Sequence, residues 1–163
     1  MKPNNVIRLL DSKKICYTAF KLPAEKLGAV EVASFLGVPP EVVYKTIVIT
    51  RSVSGKPLLV LVPGQMEVDL KSLANFLGEK KLVKPTEREA ERLTGLQAGG
   101  ISPLALINRG FQVILDASAM DYEEVYISGG RRGLDIRLLV QDLVNLTKAT
   151  FARISHQSGS EKL

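Results

Sequence analysis

Apolar residues recur at helical spacing over about residues 4–13 and again over 25–36, where Gly37 and then Pro39-Pro40 mark the end of the second helix. Between them, residues 15–20 read as extended. The period then changes. Val42-Val43-Tyr44-Lys45-Thr46-Ile47-Val48-Ile49 is rich in β-branched residues and predicts a strand over 43–51. Side chains alternate along a strand, so Val43, Lys45, Ile47 and Ile49 share one face, and Tyr44, Thr46, Val48 and Thr50 the other. Lys45 therefore falls on the more apolar face. Its ammonium must snorkel to water, find an acidic or carbonyl partner, or await an anionic ligand, because an unpaired buried charge is costly. Ser54-Gly55-Lys56-Pro57 supplies a turn, and Leu58-Leu59-Val60-Leu61-Val62 returns as a wholly apolar strand. The pair predicts an antiparallel hairpin whose second strand is buried on both faces.

Residues 69–77 read as a helix closed by Gly78. Thr86-Glu87-Arg88-Glu89 is a capping-box signature opening a helix that stops at Gly95. Strands are expected at 112–115, 124–127 and 134–138, followed by a helical turn over 141–146 and an extended segment at 149–154. No internal repeat or low-complexity segment is present in the sequence. Short strands mixed with separated helices predict an α+β domain around a mixed sheet rather than a doubly wound parallel one.

Composition adds limits. At 163 residues and 45% hydrophobic, the chain fits one globular domain with a sizeable core. The first ten residues lack a continuous apolar stretch and no segment is long enough for a membrane span, which predicts a cytoplasmic protein with no membrane partner. Cys16 has no second cysteine to bond and sits in the extended run 15–20, where a small buried hydrophobe is expected. The only histidine, His156, falls in a polar tail, 156–163, whose composition predicts disorder beyond a domain of residues 1–155. Histidine-based triads and histidine-ligated metals are thus disfavoured, and neither metal nor cofactor is expected. The net charge of +5 is compatible with a nucleic-acid partner. Lys80, Lys81, Lys84 and Arg88 form one basic group, and Arg131-Arg132 another. The first fits equally well a solvated face balanced by Glu79, Glu87, Glu89 and Glu91.

Two glycine-rich loops stand beside these charges. Gly95-Leu96-Gln97-Ala98-Gly99-Gly100-Ile101-Ser102-Pro103 carries paired glycines, which let backbone N–H groups converge on a phosphate or an oxyanion. Its spacing matches neither a Walker loop nor a dinucleotide fingerprint. Ser128-Gly129-Gly130-Arg131-Arg132-Gly133 lies between two expected strands. Either loop is also consistent with a simple turn. Together with Lys45 they predict an anion-handling pocket.

The chain resembles the YbaK/EbsC (YbaK/ProX) aminoacyl-tRNA deacylases, relatives of the editing domain inserted in bacterial prolyl-tRNA synthetases. The resemblance is carried by Val43-Tyr44-Lys45-Thr46, by Thr94-Gly95 with Gly99-Gly100-Ile101-Ser102-Pro103, and by Tyr126-Ile127-Ser128-Gly129-Gly130-Arg131-Arg132-Gly133-Leu134-Asp135-Ile136, in the family's order and separation. It runs from about residue 5 to 154 and is nearest to the free-standing Cys-tRNA(Pro) deacylases. It implies the family's editing-domain fold, with a mostly antiparallel, barrel-like sheet and surrounding helices. It also implies trans-editing: removal of a wrongly esterified amino acid, cysteine first, from the 3′ end of tRNA(Pro).

By the same resemblance the essential lysine falls on Lys45 with Thr46 beside it, and the pocket loop on Gly99, Gly100, Ile101, Ser102 and Pro103. The second pocket loop falls on Ser128, Gly129 and Gly130, and the acidic position on Asp135. Ser128 and Asp135 would bind ribose hydroxyls or the substrate ammonium, or serve only as strand-end hydrogen-bonding groups. Arg131 and Arg132 are the expected contacts to tRNA phosphates, with solvated turn residues as the alternative. In the resembling subgroup the cysteinyl thiol attacks its own ester, which suits a chain with neither a histidine base nor a usable cysteine. The stretch Ala19-Phe20-Lys21-Leu22-Pro23-Ala24-Glu25-Lys26-Leu27-Gly28 is shorter than the family's and keeps Phe20 as its only aromatic, placed to stand in for a pocket tyrosine. Alternatives from other classes are deacylation of Ala-tRNA(Pro) or another mischarged tRNA, non-catalytic docking on tRNA or prolyl-tRNA synthetase, and generic nucleotide binding.

Overall fold

The computed structural model describes residues 3–51 and 55–157. Asn4 opens helix α1 (Asn5–Ser12) by accepting a hydrogen bond from the Ile7 N–H at 2.9 Å, and Val6 and Leu10, one turn apart, enter the core. Strand β1 (Tyr17–Lys21) begins one residue later than Cys16. Cys16 is consequently an exposed free thiol in the connection, not the buried hydrophobe expected of a strand position. Helix α2 (Ala29–Leu36) starts four residues beyond the expected 25, because the Glu31 carboxylate accepts the Gly28 N–H at 3.0 Å and fixes the first turn there. Gly37 ends it in the left-handed region, φ +69°.

Strand β2 (Tyr44–Arg51) and strand β3 (Leu58–Pro63) form the expected antiparallel pair, with Lys45 opposite Val62. Every residue of β3 is buried. Ser54, where the expected turn begins, lies outside the described residues. There follow β4 (Met66–Val68), α3 (Leu70–Leu77), β5 (Leu82–Val83) and α4 (Glu87–Thr94). Asp69 and Thr86 cap the two helices by accepting the N–H groups of Ser72 and Glu89 at 3.0 and 3.2 Å. The chain continues through β6 (Gln112–Asp116), β7 (Glu124–Ser128), β8 (Leu134–Leu139), α5 (Val140–Thr147), β9 (Thr150–Ala152) and β10 (Ser155–Gln157). His156 is thus part of a strand, paired opposite Glu67 of β4, and not of a disordered tail; residues 158–163 lie outside the described residues.

The sheets are mixed and mostly antiparallel. A five-stranded sheet runs β5-β2-β3-β6-β9, a three-stranded one β1-β8-β7, and β10 pairs with β4. The parallel pairs are β3 with β6 and β6 with β9. The two larger sheets are joined by a bridge between Val43 and Tyr126, without the continuous register that would close a barrel. Alternation along the central strands divides the interior. Tyr44, Val48, Leu59, Leu61, Val113 and Leu115 face the larger core beneath β7 and β8. Ile49, Leu58, Val60, Val62 and Ile114 face a second core closed by Leu73 of α3.

Candidate active site

Strand β2 is flanked unevenly. Along one edge β3 pairs with it from Tyr44 to Ile49. Along the other, the bridge to Tyr126 stops at Val43, and β5 pairs only with Thr50 and Arg51. Between these two contacts the edge of β2 is open, and a cavity of about 590 Å³ runs along it. That geometry explains why consecutive residues from Val43 to Val48, whose side chains alternate in direction, all line one space. Lys26, Leu27 and the start of α2 form one wall, Lys84, Pro85 and the start of α4 the other. Ala98, Gly99 and Ile101 cover it, and Ser128 and Asp135 close one end.

Lys45 lines this cavity and is about a quarter exposed, its Nζ 3.3 Å from Oε1 of Glu67. Of the three fates open to a lysine on an apolar face, the structure adopts the acidic partner. Glu67 escaped the sequence reading. The signal that could have found it is Gly64-Gln65, the turn between β4 and β3, the strand on which Val62 faces Lys45. Thr46, the next residue, points to the opposite face; its hydroxyl is buried with no hydrogen-bond partner among the described residues. Tyr44 is held rigidly beneath. Its hydroxyl lies 2.7 Å from Ser118 Oγ, which donates to Asp116 at 2.5 Å, and Asp116 also accepts the Ile154 N–H at 3.1 Å. Burial pushes the Tyr44 phenol well above its ordinary range, so it stays protonated.

Ser128 and Asp135 are brought together by pairing of β7 with β8, in which they are direct partners. Lys45 and Ser128 each lie two residues beyond the parallel bridge on their strands, which carries both into the same cavity. Ser128 Oγ accepts the Gly130 N–H at 3.3 Å. Asp135 is 7% exposed, and its carboxylate makes no hydrogen bond or ion pair among the described residues. Burial raises its carboxyl to about 7. The cavity therefore holds a partly exposed cation at one point and a buried carboxyl, raised by burial, at another.

The other expected residues divide. Gly99 lines the cavity in a left-handed conformation, φ +88°. Gly100 does not: its N–H is taken by the Gln97 carbonyl at 2.8 Å, and a Cβ there would lie 2.8 Å from Cα of Arg131. The close approach it permits is to the second glycine loop, so the two loops are packed on each other. Arg132 completes that contact by donating Nε–H to the Ala98 carbonyl at 2.7 Å. Ser102 is fully buried, capping a 3-10 turn (Pro103–Ala105) through the Leu104 N–H, and Pro103 opens that turn; neither lines the cavity. Gly129 and Gly130 also stand outside it. Gly129 donates to the Leu134 carbonyl at 2.8 Å, accepts from the Asn4 side chain at 3.0 Å, and is crowded by Leu134. Phe20 stands opposite Asp135 in the β1–β8 register but packs its ring on Tyr126, 5.7 Å between centroids, behind the cavity wall. Arg137 lies over the Phe20 ring, 5.6 Å from its centroid.

Lys26 and Glu87, on opposite walls, form an ion pair at 2.6 Å across the mouth. No group of three or more histidine, cysteine, aspartate or glutamate side chains among the described residues could hold a metal ion. What the cavity offers is a fixed cation, open strand-edge amides and carbonyls, and a buried carboxyl.

The profile of the aminoacyl-tRNA editing domain family matches residues 24–146, a span that contains every element lining this cavity. The chain belongs to that family. The editing domain is also 31% identical over 153 residues to EbsC of Enterococcus faecalis, covering 93% of this chain and 92% of that protein, whose name proposes a Cys-tRNA(Pro)/Cys-tRNA(Cys) deacylase. A proline--tRNA ligase of Thermodesulfovibrio yellowstonii is 31% identical over 108 residues, 66% of this chain but 18% of the ligase. Among solved structures, one described as a trans-editing enzyme for prolyl tRNA synthetase superposes with a TM-score of 0.79 at 25% identity, covering 96% of this editing domain and 99% of that chain. A second, of a hypothetical protein, superposes at 0.85 with 23% identity over 94% and 100%, which shows the shared fold. No helix among the described residues is long and apolar enough to cross a membrane.

Proposed function

We propose that this editing domain deacylates mischarged tRNA(Pro), with the cysteinyl ester as its preferred substrate and the substrate's own thiol as nucleophile. The observation that carries the reading is the cavity itself: it presents Lys45 as a cation beside an open strand edge while the chain's single thiol, Cys16, lies in the α1–β1 connection. In this scheme the cysteinyl sulfur attacks the ester carbonyl carbon, a C–S bond forms, the C–O bond to the ribose breaks, and the thiol proton passes to the departing ribose oxygen. A cyclic thiolactone leaves the tRNA.

The protein's share is orientation and charge. Holding the ester in an attack geometry can contribute on the order of 7–11 kcal/mol, and stabilising the oxyanion about 3–4 kcal/mol, in favourable cases. Lys45 exchanges Glu67 for the developing oxyanion or the terminal phosphate, and the Gly99 loop covers the adenosine. Asp135, when ionised, binds the substrate ammonium, with Ser128 on the ribose hydroxyls. The likeness to EbsC over nearly the whole chain supports the amino acid, and the sequence similarity to part of a proline--tRNA ligase supports the tRNA and a synthetase partner.

The test is a deacylation time course with Cys-tRNA(Pro) and Ala-tRNA(Pro), comparing wild type with Lys45→Ala at low salt. The expected outcome is loss of cysteine with wild type and a rate roughly 100-fold or more lower for the variant. Release of alanine alone would keep the deacylase and change its substrate. Persistence of both esters with folded protein would leave a domain that binds without cleaving.

A further inference from the structure

Four glutamates could neutralise the basic segment between α3 and α4, and the structure commits every one of them elsewhere. Glu79 is paired with Arg51, Glu87 with Lys26, Glu89 with Arg92, and Glu91 accepts the Ala98 N–H at 2.8 Å. Lys80, Lys81, Lys84 and Arg88 are all exposed and make no ion pair among the described residues. Their place in the fold matters as much as their charge. β5 pairs with the end of β2 at Thr50 and Arg51, on the same edge along which the cavity runs, and Lys84 with Pro85 forms the cavity's wall. The positive strip therefore starts at the cavity with Lys84 and extends to Lys80 and Lys81 before β5 and to Arg88 in the first turn of α4.

We infer that this strip is the track for the phosphodiester backbone of the RNA strand whose aminoacylated 3′ end enters the cavity. The inference rests on the function proposed above and supplies its main docking surface. Exposed lysines without an ion-pair partner are suited to phosphate contacts that release counterions. The Arg131–Arg132 turn is less suited, since Arg132 is engaged by Ala98 and the backbone of both arginines packs against Gly100.

The experiment measures binding, independently of ester cleavage. Uncharged tRNA(Pro) is titrated by fluorescence anisotropy over a salt series with wild type, with Lys80→Gln/Lys81→Gln/Arg88→Gln, and with Lys13→Gln/Lys56→Gln/Lys71→Gln. The last removes the same charge from exposed positions elsewhere. The strip variant is expected to raise Kd roughly tenfold at low salt and to reduce the slope of log Kd against log salt by about 2, at about 0.7 per lost phosphate contact. The control is expected to change Kd less than twofold. Equal weakening by both variants would reduce the effect to net charge and overturn the strip, as would an unchanged Kd with the strip variant. Loss of binding to prolyl-tRNA synthetase with tRNA affinity intact would also overturn it, assigning the strip to a protein partner. Because Lys84 is left in place, an enzyme that cleaves esters in the time course yet shows no strip effect separates failure of this inference from failure of the proposed chemistry.

Discussion

Asp135 is the residue whose chemistry is most exposed to test. Its carboxyl is raised by burial from 3.8 to about 7, so the folded protein holds a proton there that the unfolded chain has already released. The sign follows from linkage: the folded state is favoured fully below about pH 4, and that advantage is lost as pH rises towards 7, at a cost on the order of a few kcal/mol. Asp135→Asn should therefore raise Tm at pH 8 and flatten its fall between pH 4 and 7, measured by thermal denaturation in a buffer series. In the deacylation assay the wild type should gain activity through pH 7 as the carboxylate forms, and Asn should lose that inflection. Lys45 was legible in the sequence because a lysine interrupts an otherwise apolar strand. Glu67 was not, because the glutamate takes its meaning only from a turn that brings β4 beside Lys45's strand pair. The opposite happened with Gly100, Ser102 and Gly129: their positions stand out in sequence, but the glycines serve close packing and the Ser102 hydroxyl caps a 3-10 turn.

At the scale of elements, those loops act as one unit. Gly100 lies against the backbone of Arg131 and Arg132, and a methyl group there would sit 2.8–2.9 Å from three of their atoms. Backbone cannot swing aside as a side-chain tip can, so Gly100→Ala should destabilise the domain by about 1–3 kcal/mol in chemical denaturation. It should also lower activity beyond the stability loss, since Ala98 and Gly99 cover the cavity. Helices α3 and α4 were readable to within a residue from Asp69, Thr86, Gly78 and Gly95, because caps are local chemistry. Strands β4 and β5 were not, being three and two residues long and defined by their partners, His156 and Arg51 among them, more than by any period of their own.

For the whole molecule, β3 is the organising element. Its residues alternate between the two cores, Leu59 and Leu61 to one and Leu58, Val60 and Val62 to the other. Loss of packing on either side is thus transmitted through one strand, and unfolding should be a single transition, with fluorescence and far-UV dichroism coincident. Leu61→Ala and Val60→Ala should shift that common midpoint without splitting it, Leu61→Ala by about 2–5 kcal/mol. The α+β class and the hairpin were visible as changes of hydrophobic period. The parallel joins of β6 to β3 and β9 were not, since a wholly apolar run specifies burial and leaves the direction of its neighbours open. The open edge of β2 has one more consequence. An apolar strand edge left unpaired is a template on which a strand from another molecule can add, and here the walls carrying Lys26 and Glu87, with Ala98, Gly99 and Ile101 over them, screen it. The groove proposed to admit the end of an RNA is in this sense also a shielded aggregation site, and changes that part those walls would be felt as lost solubility as well as lost activity.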